Sequence, residues 1–109
     1  MRIEGVPFGV TDWSGVPETT HPGVTGIATW RTVQAGNVRV RLVSYSPGYL
    51  ADHWCSRGHI LFVLEGELLT EIQGGPAHTL TAGMSYQVAD DVAPHRSSTK
   101  TSARLFIVD

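Results

Sequence analysis

The sequence predicts an all-β domain built as a sandwich or a closed antiparallel barrel. Three observations lead there. Short runs rich in Val, Ile, Thr and aromatic residues recur along the chain, Gly and Pro fall between those runs, and no segment of useful length carries a helical period. At 109 residues the chain is one domain, since a second would be too short to bury its own core. Apolar residues make up 41%, which argues against wholesale disorder.

The elements follow in order. Residues 1–23 hold Gly5, Pro7, Gly9, Gly15, Pro17, Pro22 and Gly23, and read as an irregular N-terminal arm with one short strand around Gly5 to Val10. Residues 24–109 carry the β pattern and form the barrel domain. Val24 to Val33 reads as a strand, and Gln34-Ala35-Gly36-Asn37 turns it into the alternating run Val38 to Leu42, a half-buried strand. Pro47-Gly48 is the next turn, and a short strand covers Ala51 to Cys55. Ser56-Arg57-Gly58 turns the chain into the apolar run His59 to Leu64, suited to a central strand. Glu65-Gly66 turns again into Glu67 to Gln73, and Gly74-Gly75-Pro76 is the clearest loop. Short strands follow at His78 to Leu80, Met84 to Val88, His95 to Thr99 and Ala103 to Val108.

The charge balance limits the partners. Net charge is −2, and the eight basic residues are scattered, with no run that forms a binding patch. Neither nucleic acid nor an anionic membrane surface is an expected partner. The longest apolar run, Ile60 to Leu64, is far below membrane-spanning length. The N-terminus lacks the apolar core of a signal peptide. Cys55 is the single cysteine, so no intrachain disulfide forms, and a lone thiol suits a reducing compartment. A cytoplasmic protein is the default expectation.

Residues of metal-ligand type gather between Gly48 and Gly66. His53 and Cys55 are two apart, so in a strand they share a face. His59 follows the Ser56-Arg57-Gly58 turn, and a hairpin would set it opposite them. His95 must arrive from a distant strand, which a barrel can arrange.

Gly48, His53, Cys55, His59 and Gly66 together resemble the first motif of the cupin superfamily: a glycine, a His-x-His pair, a glutamate four residues on and a glycine seven residues later. Cys55 stands at the second histidine and His59 at the glutamate. The gap from Gly48 to His53 is one residue short. Gly83 to His95 resembles the second motif, with Ala89 for the usual proline, Asp91 for the usual glycine, and His95 one residue late. The likeness is greatest to cupins with an Asp-His-Trp-Cys run, here Asp52-His53-Trp54-Cys55, and it spans Val24 to Val108. It implies a jelly-roll β-barrel, a small-molecule ligand or substrate, a homodimer with apolar interface from Trp13, Trp30 and Trp54, and a divalent metal held by His53, Cys55, His59 and His95. Three imidazoles and a thiolate carry the same ligand charge as the family's three imidazoles and a carboxylate. The softer set favours Zn²⁺ over Mn²⁺ or Mg²⁺ and leaves Fe²⁺, Ni²⁺ and copper open.

The remaining candidates carry less. His78 and His21 read as surface or structural residues. Asp52 and Trp54 point away from the metal face, Asp52 toward a turn or supporting role and Trp54 toward the wall or an interface. Arg39 and Arg41 share a strand face with Val43 and Tyr45. The expectation is a solvent face, and the alternative is a clamp for an anion at the barrel mouth. Two functions stay open. One is a metal-dependent enzyme with an open coordination position. The other is a non-catalytic binding or sensing module with a structural metal or a redox-active Cys55.

Overall fold

The computed structural model describes residues 2–109; Met1, the first residue of the expected arm, lies outside them. Eight strands run β1 Glu18–Pro22, β2 Ile27–Ala35, β3 Val38–Tyr45, β4 His59–Ile72, β5 Ala77–Thr81, β6 Ser85–Val88, β7 His95–Ser98 and β8 Ala103–Val108. They pair antiparallel in the order β1-β2-β3-β8-β4-β5, with β6 and β7 also on β4. A single 3-10 turn, Trp13–Gly15, precedes them, capped by the Asp12 carboxylate on the Ser14 amide.

The long strand β4 organises the barrel. Its first part pairs with β6 on one edge and β8 on the other, and its second part pairs with β5 and β7. The bend between them is a register shift at Val63 to Glu65, followed by Gly66 at φ +79°. Alternation then sets the faces. His59, Leu61 and Val63 are buried, while Ile60, Phe62 and Leu64 are exposed. Leu61 and Val63 join Val43, Leu68, Leu80, Ala103, Leu105 and Ile107 in the main core. Each buried Leu or Ile there contributes about 1.5–3 kcal/mol relative to an exposed side chain.

Several expected elements differ in detail. The sheet begins at Glu18 within the expected arm, because β1 pairs along β2 from Glu18↔Arg31 to Pro22↔Ile27. Residues 5–10 form no strand. Glu65-Gly66 continues the strand past the bulge at Leu64 rather than turning it, since Glu65 pairs with Arg104 and Gly66 with Ala103. The expected strand at Ala51 to Cys55 is bent at Asp52 and His53 and reduced to a bridge at Cys55. That bridge joins His95, so no hairpin forms between His53–Cys55 and β4. The physical reason lies at Ser56 to Gly58, which crosses over to the 89–91 loop instead of turning. Gly58 N–H donates to the Asp90 carboxylate at 2.6 Å, and Asp91 N–H donates to the Ser56 carbonyl at 2.8 Å. A Cβ on Gly58 would collide with the Asp90 amide at 2.5 Å.

Candidate metal centre

Strand parity delivers His59 to the inside of β4, and β7 begins at His95 beside the same end. The two rings meet edge to face, with Nε2 atoms 3.1 Å apart. The ring nitrogens have distinct partners. His95 Nδ1 lies 2.8 Å from the Ala93 carbonyl, which can only accept, so this nitrogen carries the proton and Nε2 keeps its lone pair. Burial pushes the His95 pKa below its ordinary value, against the hydrogen bond to Ala93, and keeps the ring neutral. His59 Nδ1 faces the Asp109 carboxylate at 3.8 Å, and its Nε2 lies 2.7 Å from the Tyr86 hydroxyl. Burial raises the Tyr86 pKa, so the phenol keeps the proton it can donate to that nitrogen.

Asp109 is the buried anion of this region, with its carboxylate 1% exposed. It accepts from Arg39 Nε at 2.8 Å, Arg39 Nη2 at 3.0 Å and Arg41 Nη2 at 3.0 Å. Burial alone would raise its pKa. The His59 ring, the Arg39 hydrogen bonds and the Arg41 charge outweigh that and hold it well below the usual carboxylate range. Arg39 and Arg41 therefore do not form a solvent face. Arg41 is 7% exposed and sits on the inner face with Val43, its Cζ 4.5 Å from the Trp30 ring centroid. The expectation fails because a buried carboxylate and an indole replace water around the guanidinium.

His53, Cys55, His59 and His95 line one cavity of about 140 Å³, together with Arg39, Arg41, Tyr45, Tyr86 and Arg96. A larger cavity of about 540 Å³ lies beyond Tyr86 and His95, between β5 and β6. Cys55 and His95 exchange both backbone hydrogen bonds, at 2.8 and 2.9 Å, and so stand directly opposite one another. His53 sits at the rim with its side chain 72% exposed, its Nδ1 held by the Asp52 carboxylate at 2.7 Å and its Nε2 left bare. Among the described residues, no three His, Cys, Asp or Glu side chains converge closely enough to hold a metal ion. The structure thus brings His59 and His95 together, places Cys55 and His53 around the same cavity, and keeps His78 on the surface. His21 stacks on Trp30 at 3.7 Å, a structural role.

No family model matches the sequence, and no curated protein matches it. Solved structures do match. An RmlC-like cupin from Shewanella frigidimarina is 18% identical, with 96% of this chain and 88% of that one covered and a TM-score of 0.71. The fold is that of the cupins. Ectoine synthase from P. lautus aligns over 93% of this chain and 76% of its own, at 17% identity and a TM-score of 0.75. The Fe(II)-HppE enzyme aligns over 94% of this chain and 60% of its own, also at 17% identity and a TM-score of 0.75. Such cupins include enzymes and proteins that bind small molecules, and no helix among the described residues is long and apolar enough to cross a membrane.

Asp109, Tyr86 and Trp30 join the site although no motif marks them. A signal for each was present. Asp109 has the parity of the inward residues Leu105 and Ile107, Tyr86 pairs with inward Leu61, and Trp30 pairs with inward Val43.

Proposed function

We propose that this chain is a metal-binding cupin that handles a small molecule inside its barrel, with His59 and His95 as the central ligands and His53 and Cys55 completing the set. The observation that carries this reading is the facing pair of imidazole nitrogens. The Ala93 carbonyl leaves a lone pair on His95 Nε2, and His59 Nδ1 is buried without a hydrogen-bond partner, with the Asp109 carboxylate 3.8 Å away. The Tyr86 hydroxyl, 2.7 Å from His59 Nε2, can fill that lone pair, and a cation between the two nitrogens would take its place at their 3.1 Å separation. Two nitrogens on one tetrahedral zinc, each bonded at ~2.0–2.1 Å, stand about 3.3 Å apart. The backbone carbonyl and the carboxylates of Asp52 and Asp109 behind the rings are the supports that metal-ligating histidines use. Cys55 adds a thiol that turns anionic on coordination.

The residues fit a divalent ion, with Zn²⁺ favoured by the thiolate and Fe²⁺ or Ni²⁺ as the alternatives. A bound ion would supply Lewis acidity toward a ligand oxygen. The chain's own part is separate. Tyr86 presents a protonated hydroxyl at His59, Arg39 and Arg41 set a positive wall, and the barrel core excludes water from one side. The reading covers a metal-dependent enzyme if a coordination position stays open. A closed His₃Cys set would instead make a non-catalytic binding or sensing module. We place the protein in the cytoplasm as a homodimer.

Metal analysis of protein purified without added metal tests this. His59→Ala should lose most of the metal, Cys55→Ala should weaken binding and remove thiolate-to-metal absorption from the cobalt form, and His78→Ala should keep full occupancy. Equal occupancy in the His59 and His78 variants would remove the assignment.

A further inference from the structure

We propose that the arginine-lined side of the barrel cavity is a carboxylate site, which takes a small monocarboxylate on Arg41 beside His59 and His95. This rests on the reading that the cavity receives a small molecule, and it names the chemical class of that molecule.

Charge counting within the cavity makes the case. Three guanidiniums line it, those of Arg39, Arg41 and Arg96. The carboxylates that meet them are Asp109 and Glu71. One positive charge is left over within the cavity; Arg57, 3.7 Å from Asp109, lies outside the lining with its side chain 54% exposed, where water screens it. The geometry locates the surplus on Arg41. Arg39 grips Asp109 with two nitrogens, and Arg96 reaches both oxygens of Glu71 at 3.3 and 3.1 Å. Arg41 has one hydrogen bond, Nη2 to Asp109, while its side chain is 8% exposed and its Nε is buried with no partner. The Nε of Arg96 is also buried and unpartnered, on the same cavity.

A buried charged donor without an acceptor costs free energy that an anion arriving at that donor recovers. The direction of the Arg41 pKa agrees, since burial and the Arg39 charge push it below its ordinary value. The guanidinium is also held ready. It lies over Trp30, which is itself stacked on His21. A planar fork fixed in advance suits a planar carboxylate. Size and charge narrow the class. A volume of 140 Å³ is room for about five waters at roughly 30 Å³ each, so the bound part of the ligand is compact. A single surplus charge matches a monoanion better than a phosphate dianion.

The test uses ¹⁵N-labelled, chelator-stripped protein and the Arg41 Nε–H resonance, titrated separately with acetate, acetamide and inorganic phosphate. Acetate should move that resonance saturably, acetamide should leave it in place, and phosphate should bind more weakly. Arg41→Lys keeps the charge opposite Asp109 but loses the fork, and should weaken acetate binding about tenfold or more, followed on backbone amides that also report the fold. Arg104→Gln, at the surface ion pair with Glu65, should bind acetate as the parent does. Equal shifts from acetate and acetamide, phosphate binding as tight as acetate, or an unchanged affinity in Arg41→Lys would each overturn the assignment. Because the metal is stripped beforehand, loss of the metal reading leaves this result standing, and loss of this one leaves the metal analysis standing.

Discussion

At the residue scale, Asp109 balances the most expensive group in the barrel. Arg41 is buried beside Arg39, and one carboxylate faces both. Removing one partner of such a cluster leaves an uncompensated buried charge, which typically costs about 3–5 kcal/mol. Asp109→Asn should therefore lower the urea midpoint substantially while the denaturant slope stays constant. The surface pair Arg2–Glu4 offers the contrast, and Glu4→Gln should change stability by less than about 1 kcal/mol. The same residues show what the sequence could not tell. In Val38-Arg39-Val40-Arg41-Leu42, alternation says which side chains share a face, but it does not say which face is inside. Hydrophobicity puts the arginines out, and the fold puts them in. The carboxylate that compensates them lies some 70 positions away in sequence, beyond the reach of a local pattern. Such departures from binary patterning are where functional sites are expected. His59, by contrast, was legible, because it shares parity with Leu61 and Val63 in an apolar run.

At the element scale, β4 carries the design. It serves two sheet regions with one continuous backbone, and the register shift between Val63 and Glu65, followed by Gly66, is the hinge between them. Gly66 has φ +79°, and a Cβ there would run into the Ser102 carbonyl oxygen. Gly66→Ala should destabilise the domain by about 2 kcal/mol or more, read by thermal or urea unfolding. Gly74→Ala is the control, since its φ of +71° imposes similar backbone strain but nothing lies within 4 Å of its added Cβ, so its cost should be smaller. The Glu65-Gly66 pair read as a turn for a physical reason. A glycine with positive φ marks a turn and a bulge alike, and only pairing on both edges separates them. Strand boundaries at Ala103–Val108 matched expectation because the alternation Ala103, Leu105, Ile107 is clean. The segment at Asp52 to Cys55 did not match, since its backbone is governed by distant partners, His95 and the 89–91 loop.

At the scale of the whole molecule, two consequences join. Chelation should lower the melting temperature if the histidine pair holds an ion, because binding to the folded state alone stabilises by mass action. The second concerns the outer face of the sheet. Val40, Val108 and Ile60 lie in one row across β3, β8 and β4, and Leu42, Phe106 and Phe62 lie in the next. Ile60 and Phe62 are 49% and 41% exposed, and on the arm Phe8 and Val10 are 97% and 87% exposed. Trp13 meets Phe106 edge to face at 6.3 Å, and the apolar rows around it are a large patch to leave in water. A two-fold partner would cover that face with the same elements, since such an interface is self-complementary. The expected mass in solution is then twice the 11.8 kDa of one chain. Phe62→Glu should shift light scattering to the single-chain mass with the β spectrum retained, because the substitution places a charge in the centre of the apolar row. Phe62 points away from the cavity that holds His59 and His95, so any metal content should stay constant. A parent protein that scatters as a single chain would rule the dimer out.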